Sequence, residues 1–373
     1  MKIAIVQGAF FPVPPVRGGA VEKLWHRLGL EFAHRGHEVV HISKRYSGLP
    51  NESRQEGVRY VRVTGYNQPA NVPWLKLLDL LYSLRAARRV PVSDIVVTNT
   101  FWAPVLVRRR GHVYVSVERM PKGQMRLYRR AARLCACSSA VRDAIVAEDA
   151  QAASRVRVIP NPLPEVPSGD VPWREKEPRI LYVGRMHPEK GIDLLLDAFT
   201  RAKAGGGLPG WKLEVVGPWE TRDGGGGSRW VQSLRDRHVH PAIEWTGPLF
   251  RAEDLAFRYR RSRVFVYPSR AERGETFGLA PLEAMAWGAV PIVSALGCFR
   301  DFITPLQNGF VFDHRSADPA GRLAALFGTL PDRPLEELSR AALGVRISHA
   351  PARIATQFLD DFETILQHPA GNS

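Results

Sequence analysis

Three things are scarce in this chain, and each scarcity excludes a class of function. There are only three cysteines in 373 residues. Cys135, Cys137 and Cys298 are an odd set without the paired spacing of a zinc site. Their number suits a reducing cytoplasm. If Cys135-Ala136-Cys137 is a strand, its two thiols share one face. Long apolar runs are also missing. None approaches the roughly 18–20 residues that a bilayer span needs. The opening segment, Met1 to Gly8, turns polar too soon for a signal peptide. Finally, no Asp-x-Asp triplet occurs, so a metal-held diphosphate is not suggested. Zinc spacing, a helix-turn-helix signal and an aromatic RNA motif are absent too, which ranks nucleic acid low as a partner.

What is present is ordinary in amount and uneven in placement. Hydrophobic residues make up 45% and charged residues 24%, as in soluble globular proteins. The length suits two domains, each able to bury a core. Net charge is +15, and its placement is one-sided. Residues 1–164 carry 26 Lys and Arg against 11 Asp and Glu; residues 165–373 carry 26 against 26. The first half alone therefore calls for an anionic partner.

Short β-branched runs alternate with helix-like segments throughout. In the first half, Lys2–Val6, Val39–Ile42, Val58–Val63, Ile95–Val97, Val113–Val117 and Val156–Ile159 read as strands. Helices are expected near Ala20–Ala33, Leu75–Arg88, Met125–Leu134 and Ser139–Ala147. The second half repeats the habit, with strands at Ile180–Val183, Leu213–Val216, Val264–Tyr267 and Val290–Val293. Its helices are expected near Ile192–Ala202, Trp230–Arg235, Asp254–Arg260 and Leu282–Trp287. Such alternation predicts an α/β fold of two Rossmann-like domains, with parallel sheets facing a central cleft. The Pro- and charge-rich segment Pro160–Pro178 reads as the linker. Gly224–Gly227 reads as a mobile surface loop. Pro351–Leu366 reads as an amphipathic helix, and residues 368–373 as disordered. The domains are thus expected at 1–164 and 165–350, with a last helix and tail at 351–373.

The densest chemistry lies between Arg270 and Pro291. Glu275 and Glu283 sit eight positions apart around Phe277-Gly278. A helix N-terminus there offers free amides to phosphate oxygens. A carboxylate one turn into the helix suits a ribose diol, and one before the turn suits a sugar hydroxyl. Arg185 and Lys190, after the first strand of the second domain, are placed to neutralise a diphosphate. Alone, they also fit a strand cap and a solvated helix start. Gly18 and Gly19 let backbone approach a phosphate, or simply make a loop-to-helix turn. Arg35-Gly36-His37 fits a helix end rather than catalysis. Asn161 suits a hinge.

These residues resemble glycosyltransferase family 4, whose members are retaining, use nucleotide sugars and have the GT-B fold. The resemblance covers almost the whole chain. It is carried by Gly18-Gly19, Arg35-Gly36-His37, Ile159-Pro160-Asn161, Gly184-Arg185, Lys190-Gly191 and Glu275 through Glu283. Asn308-Gly309-Phe310 matches a later part of the family pattern. The resemblance implies that Arg185 and Lys190 bind diphosphate, Glu283 holds the ribose and Glu275 contacts the donor sugar. The amides of Phe277, Gly278 and Leu279 would line sugar and phosphate, with Gly18 and Gly19 closing over the donor. The C-terminal helix would cross back to the first domain. The expected donor is a nucleoside-diphosphate sugar, with no cofactor and no metal.

Two departures stand out. Glu118-Arg119 follows the strand at Val117, where many members have a His. Glu118 would assist deprotonation of the acceptor, Arg119 would recognise an acidic acceptor, or the pair is a rim salt bridge. Leu296-Gly297-Cys298 replaces a common glycine pair, and Asp301 stands where Glu is frequent. Transfer is expected at the front face, with retention.

Basic stretches at Lys122–Leu134, Arg108-Arg109-Arg110 and Arg85, Arg88 and Arg89 suit anionic lipid headgroups. They also fit solvated faces of a high-pI protein. A saccharide or lipid-linked acceptor at the inner face of the cytoplasmic membrane is the expectation, in cell-surface polysaccharide or glycolipid assembly. A coat protein that kept the fold without turnover, or a nucleotide-sugar epimerase, are the alternatives.

Overall fold

In the computed structural model, residues 1–368 are described, apart from 17, 18, 70, 170 and 250. The chain forms two compact units, Met1–Glu165 with His349–Ser373, and Val166–Ser348.

The first unit runs β1 (Lys2–Val6), α1 (Ala20–His34), β2 (Glu38–Lys44), β3 (Glu52–Gln55), β4 (Val58–Val63), α2 (Val72–Arg89), β5 (Ile95–Thr98), α3 (Ala103–Leu106), β6 (His112–Val117), β7 (Arg133–Ala136), α4 (Ser139–Glu148) and β8 (Val156–Val158). Among the described residues its sheet has the order β3-β4-β2-β1-β5-β6-β7-β8. All pairings are parallel except β3 with β4. Ile3, Ala4, Ile5 and Val6 are fully buried, as a strand covered on both faces requires.

One expectation fails here. Met125–Leu134 is not a helix. A single 3-10 turn, Met125–Tyr128, precedes β7, which pairs with β6 and β8. Leu134, Cys135 and Ala136 are buried in that sheet, so tertiary pairing overrides local propensity. Strand β3 carries no apolar pattern because it is a polar edge strand, Glu-Ser-Arg-Gln.

The second unit runs β9 (Glu177–Val183), α5 (Ile192–Ala204), β10 (Lys212–Val216), α6 (Ser228–Arg237), β11 (Ile243–Gly247), α7 (Ala252–Arg261), β12 (Ser262–Tyr267), α8 (Leu279–Ala286), β13 (Val290–Ser294), β14 (Phe310–Phe312), α9 (Pro319–Thr329), α10 (Leu335–Ala342) and α11 (Val345–Ser348). Its sheet order is β11-β10-β9-β12-β13-β14, all parallel.

The end of the proline-rich segment is built into this unit rather than serving as linker. Lys176 is buried, and its Nζ donates to the carbonyls of Arg260, Ser262 and Trp287 at 2.7, 3.1 and 2.8 Å. Burial lowers its pKa to about 7. The four glycines are not a loose loop either. Gly225 is buried against Trp219, leaving no room for a Cβ. Gly226 N donates to Met186 O and Gly227 N to Trp219 O, both at 2.7 Å. Glycine serves here for close approach, not for flexibility.

The chain ends with α12 (Pro351–Gln367), which returns to the first unit. Phe358 and Phe362 pack edge-on against Trp25, Phe32 and Tyr114. Asp361 accepts from the Tyr114 hydroxyl at 2.9 Å and pairs with Arg133 at 2.8 Å. Gly36 takes a positive φ of 83°, and Arg35 donates to Thr356 Oγ1 and Ala352 O of α12. That segment is therefore structural. The tail beyond residue 368 lies outside the described residues.

Candidate functional site

In the second unit, chemistry collects where β9 and β12 end. These strands are neighbours in the sheet, so the loops after Val183 and Tyr267 emerge side by side. The β9 loop makes a short turn, Pro188–Lys190, and enters α5 through Gly191 at φ 69°. A Cβ at Gly191 would overlap the Pro268 carbonyl oxygen. Glycine thus lets the β9 loop lie directly against the β12 loop. The Glu189 carbonyl accepts from Arg270 N at 2.8 Å, tying the two loops by backbone.

This approach brings Lys190 and Glu275 together. Lys190 Nζ lies 2.7 Å from Glu275 Oε2, and both side chains are about nine-tenths buried. The ammonium also stands 5.4 Å from the Tyr267 ring centre. Burial, and then the Glu275 charge, push the Tyr267 hydroxyl well above its usual pKa; that hydroxyl hydrogen-bonds to Glu275. The result is a cation and an anion fixed at a strand end, with little water around either.

Arg185 stands in the same β9 loop and is half-exposed. Its Nη2 contacts Glu189 Oε1 at 3.1 Å, and its Nη1 donates to Gly224 O at 2.8 Å. The Tyr182 hydroxyl holds the Arg185 carbonyl at 3.0 Å. Phe277 is buried and packs on Phe302 at 5.4 Å. Gly278, at φ 92°, caps α8, and a Cβ there would press on the Phe299 ring at 2.5 Å. Leu279 starts the helix. Glu283 lies one turn in, with Oε2 accepting from the Tyr259 hydroxyl at 3.2 Å. The structure therefore joins Lys190 with Glu275 directly and adds Arg185 through Glu189. It seats Phe277, Gly278, Leu279 and Glu283 on the helix entry that follows.

In the first unit, Gly19 (φ 93°) opens α1, and a Cβ there would overlap the Glu22 carboxylate. Gly18 lies outside the described residues. Glu22 is buried, and burial raises its pKa, opposed by a hydrogen bond from its own amide and by the Arg119 charge. Glu118 is half-buried. Its Oε1 accepts from Ser116 Oγ at 2.6 Å, and Ser116 Oγ accepts from the Trp25 indole at 3.3 Å. Burial raises the Glu118 pKa against hydrogen bonds from Ser116, Asn161 and Cys137. So Asn161 meets Glu118 rather than acting only as a hinge. Arg119 is a charge neighbour of Glu22.

Glu22 and Asp79 are the acids that motif reading missed. Glu22 had a signal, since it stands three residues after Gly19. Asp79 had none, sitting among leucines. It accepts from Trp102 N at 3.1 Å and so anchors the loop after β5. Burial pushes its pKa up to about 6, against hydrogen bonds from Trp102, Phe101 and Ser83. A raised carboxyl pKa favours the fold below about pH 4, and that benefit is lost as pH rises through about 6. Asp79→Asn should therefore raise stability at pH 8 by up to about 3 kcal/mol and leave it unchanged near pH 4. Thermal melts from pH 4 to 8 check this; a gain independent of pH would contradict it.

Comparison with known proteins agrees with the layout. Residues 168–336 match the family model for glycosyl transferases group 1, and residues 19–162 match that for a glycosyl transferase 4-like domain. A glycogen synthase of Mycobacterium tuberculosis is 26% identical, over 98% of this chain and 92% of its own. A GDP-mannose-dependent alpha-mannosyltransferase of the same organism is 27% identical, over 87% and 88%. The solved sucrose-phosphate synthase from Thermosynechococcus elongatus superposes with a TM-score of 0.78 at 21% identity, over 98% and 99% of the two chains.

Proposed function

Because the chain belongs to the family 4 type of glycosyltransferases and has the GT-B fold, we propose that it moves a sugar from a nucleoside-diphosphate sugar to an acceptor hydroxyl with retention. The product would be a cell-surface polysaccharide or glycolipid. The buried Lys190–Glu275 pair is the observation that carries this proposal. A fixed ammonium at a strand end, beside a glycine-opened helix, suits a diphosphate leaving group. A relative named for its use of GDP-mannose supports a nucleotide-sugar donor.

In the proposed step the acceptor oxygen attacks the anomeric carbon on the face that the diphosphate leaves. The new C–O bond forms as the bond to the phosphate oxygen breaks, and the electron pair stays on the diphosphate. The acceptor proton passes to a diphosphate oxygen. Lys190 and Arg185 offset the growing charge, without a metal or cofactor. Arg185 turns toward it at small cost, because it is half-exposed: its pair with Glu189 is worth only about 0–1 kcal/mol, and its bond to the Gly224 carbonyl is exchanged for one to the diphosphate. Glu275 holds a sugar hydroxyl and Glu283 the ribose diol. The amides of Phe277, Gly278 and Leu279 face sugar and phosphate. Gly18 and Gly19 belong to the proposed donor-binding set. Glu118, with its raised pKa, receives the acceptor hydroxyl. The acceptor is a saccharide or lipid-linked saccharide, reached at the inner face of the cytoplasmic membrane.

Thermal-shift screening against UDP-, GDP-, ADP- and dTDP-sugars identifies the donor, and NMR of the product gives the anomeric configuration. Arg185→Ala should lower kcat by about 100- to 1000-fold. Inversion, or near-normal turnover in that variant, would refute the proposed step.

A further inference from the structure

Helix α2 presents its faces the wrong way round for a helix that only covers a sheet. Its buried side carries Asp79, Tyr82, Ser83 and Ala86. Its outward side carries Trp74 (57% exposed), Leu77 (44%), Leu81 (38%) and Leu84 (39%). From Trp74 to Leu84 the spacing is three, four and three, which sets these side chains in one stripe. The single acidic residue of α2, Asp79, is turned inward. Lys76, Arg88 and Arg89 are exposed on the same helix.

We propose that this face of α2 docks on an anionic lipid bilayer. An apolar stripe on a helix that also exposes Lys76 and Arg88, with Arg89 paired to Glu52 of β3 at 4.0 Å, matches the boundary between acyl chains and negatively charged headgroups. A tryptophan at one end of the stripe suits that boundary, having an apolar body and a polar N–H. A second copy is a poorer occupant. Two-fold pairing of this face would bring Lys76 and Arg88 of two copies together, and Glu52, which pairs with Arg89 at 4.0 Å, is already held by Arg59 at 2.9 Å. The neighbouring elements carry the same character. Helix α3 packs on both α2 and the Met125–Tyr128 turn. Exposed there are Leu127, Arg109, Arg126 and Arg130. The basic segment Lys122–Leu134 therefore adds charge at the edge, while α2 supplies the apolar insertion.

The helix is also tied to the sheet end that bears the candidate acceptor residues. Trp102 Nε1 donates to Lys76 O at 3.0 Å, and Trp102 N donates to Asp79. Docking through α2 would present the β5 loop to an acceptor held in the membrane. The inference deepens the proposed function and rests on it only for the acceptor being lipid-linked.

Flotation of the purified full chain tests it, with vesicles of phosphatidylcholine alone and mixed with phosphatidylglycerol. Wild type should float with the mixed vesicles only. Leu77→Glu with Leu81→Glu should lose at least about tenfold in binding. Lys76→Glu with Arg88→Glu, which leaves the stripe intact, should lose about fivefold per charge, and the loss should shrink in high salt. Wild type that floats with neither vesicle, or equally with both, would overturn the proposal. So would a soluble dimer that the leucine variant dissociates. Nucleotide-sugar stabilisation is measured in parallel on every protein. Its absence with docking intact would sink the proposed function alone, and its presence without docking would sink only the membrane face.

Discussion

Lys190→Met should lower kcat/KM by about 100- to 1000-fold and also destabilise the second unit by about 3–5 kcal/mol. The two losses have different origins and can be separated. Glu275 is about nine-tenths buried, and Lys190, 2.7 Å away, is the cation that balances it. Removing the cation strands a buried carboxylate beside Tyr267 and Tyr182, whose hydroxyls are already pushed up by burial and by the Glu275 charge. Replacing both members by apolar residues of similar volume removes that penalty. Lys190→Met with Glu275→Met should therefore recover most of the stability while activity stays absent. Denaturant unfolding and steady-state kinetics on the single and double variants check this. If the double variant regains turnover with its stability, the pair is architectural and the proposed donor site is wrong.

Arg179→Met should lower the melting temperature of the second unit by about 10 °C, with little direct effect on donor affinity in the protein that remains folded. Arg179 is buried on β9, and its Nη1 lies 3.0 Å from Glu214 Oε2 on β10 and 2.5 Å from Glu244 Oε2 on β11. Glu214 is fully buried. Its other partners are Arg258 at 3.2 Å and the Thr246 hydroxyl at 2.7 Å. Losing the guanidinium leaves Glu214 charged in a dry layer with half of its compensation gone. The ion pairs join β9, β10 and β11, three adjacent strands, which makes the cost a sheet-wide one. Differential scanning fluorimetry with and without nucleotide sugar separates the two effects. An unchanged melting temperature would mean that Arg258 alone satisfies Glu214.

Neither buried pair was visible as a pair in the sequence. Glu275 and Lys190 were each singled out, but from loop chemistry and family resemblance, and as separate ligand contacts. Their mutual contact depends on β9 lying beside β12, two strands with β10 and β11 between them in the chain. Asp79 was hidden because it sits in a run of leucines, of which Leu77 and Leu81 face outward. A helix with its apolar side exposed defeats the usual inference from hydrophobicity to burial. The segment Met125–Leu134 failed for a related reason. Its arginines and leucine suit a helix, and only pairing with β6 and β8 makes its end a strand. The four glycines looked mobile because composition records small residues but not what presses against them.

Taken alone, the order of residues determined the α/β alternation, most strand positions, the glycine-opened helix entries and the family. These depend on periodicity and turn chemistry acting over about ten residues or fewer. Tertiary structure alone decided which strands are neighbours, which charges meet, and which side of α2 is left to solvent. Those outcomes come from burial summed over a whole unit. Burial joins side chains far apart in the chain, and there it outweighs local preference.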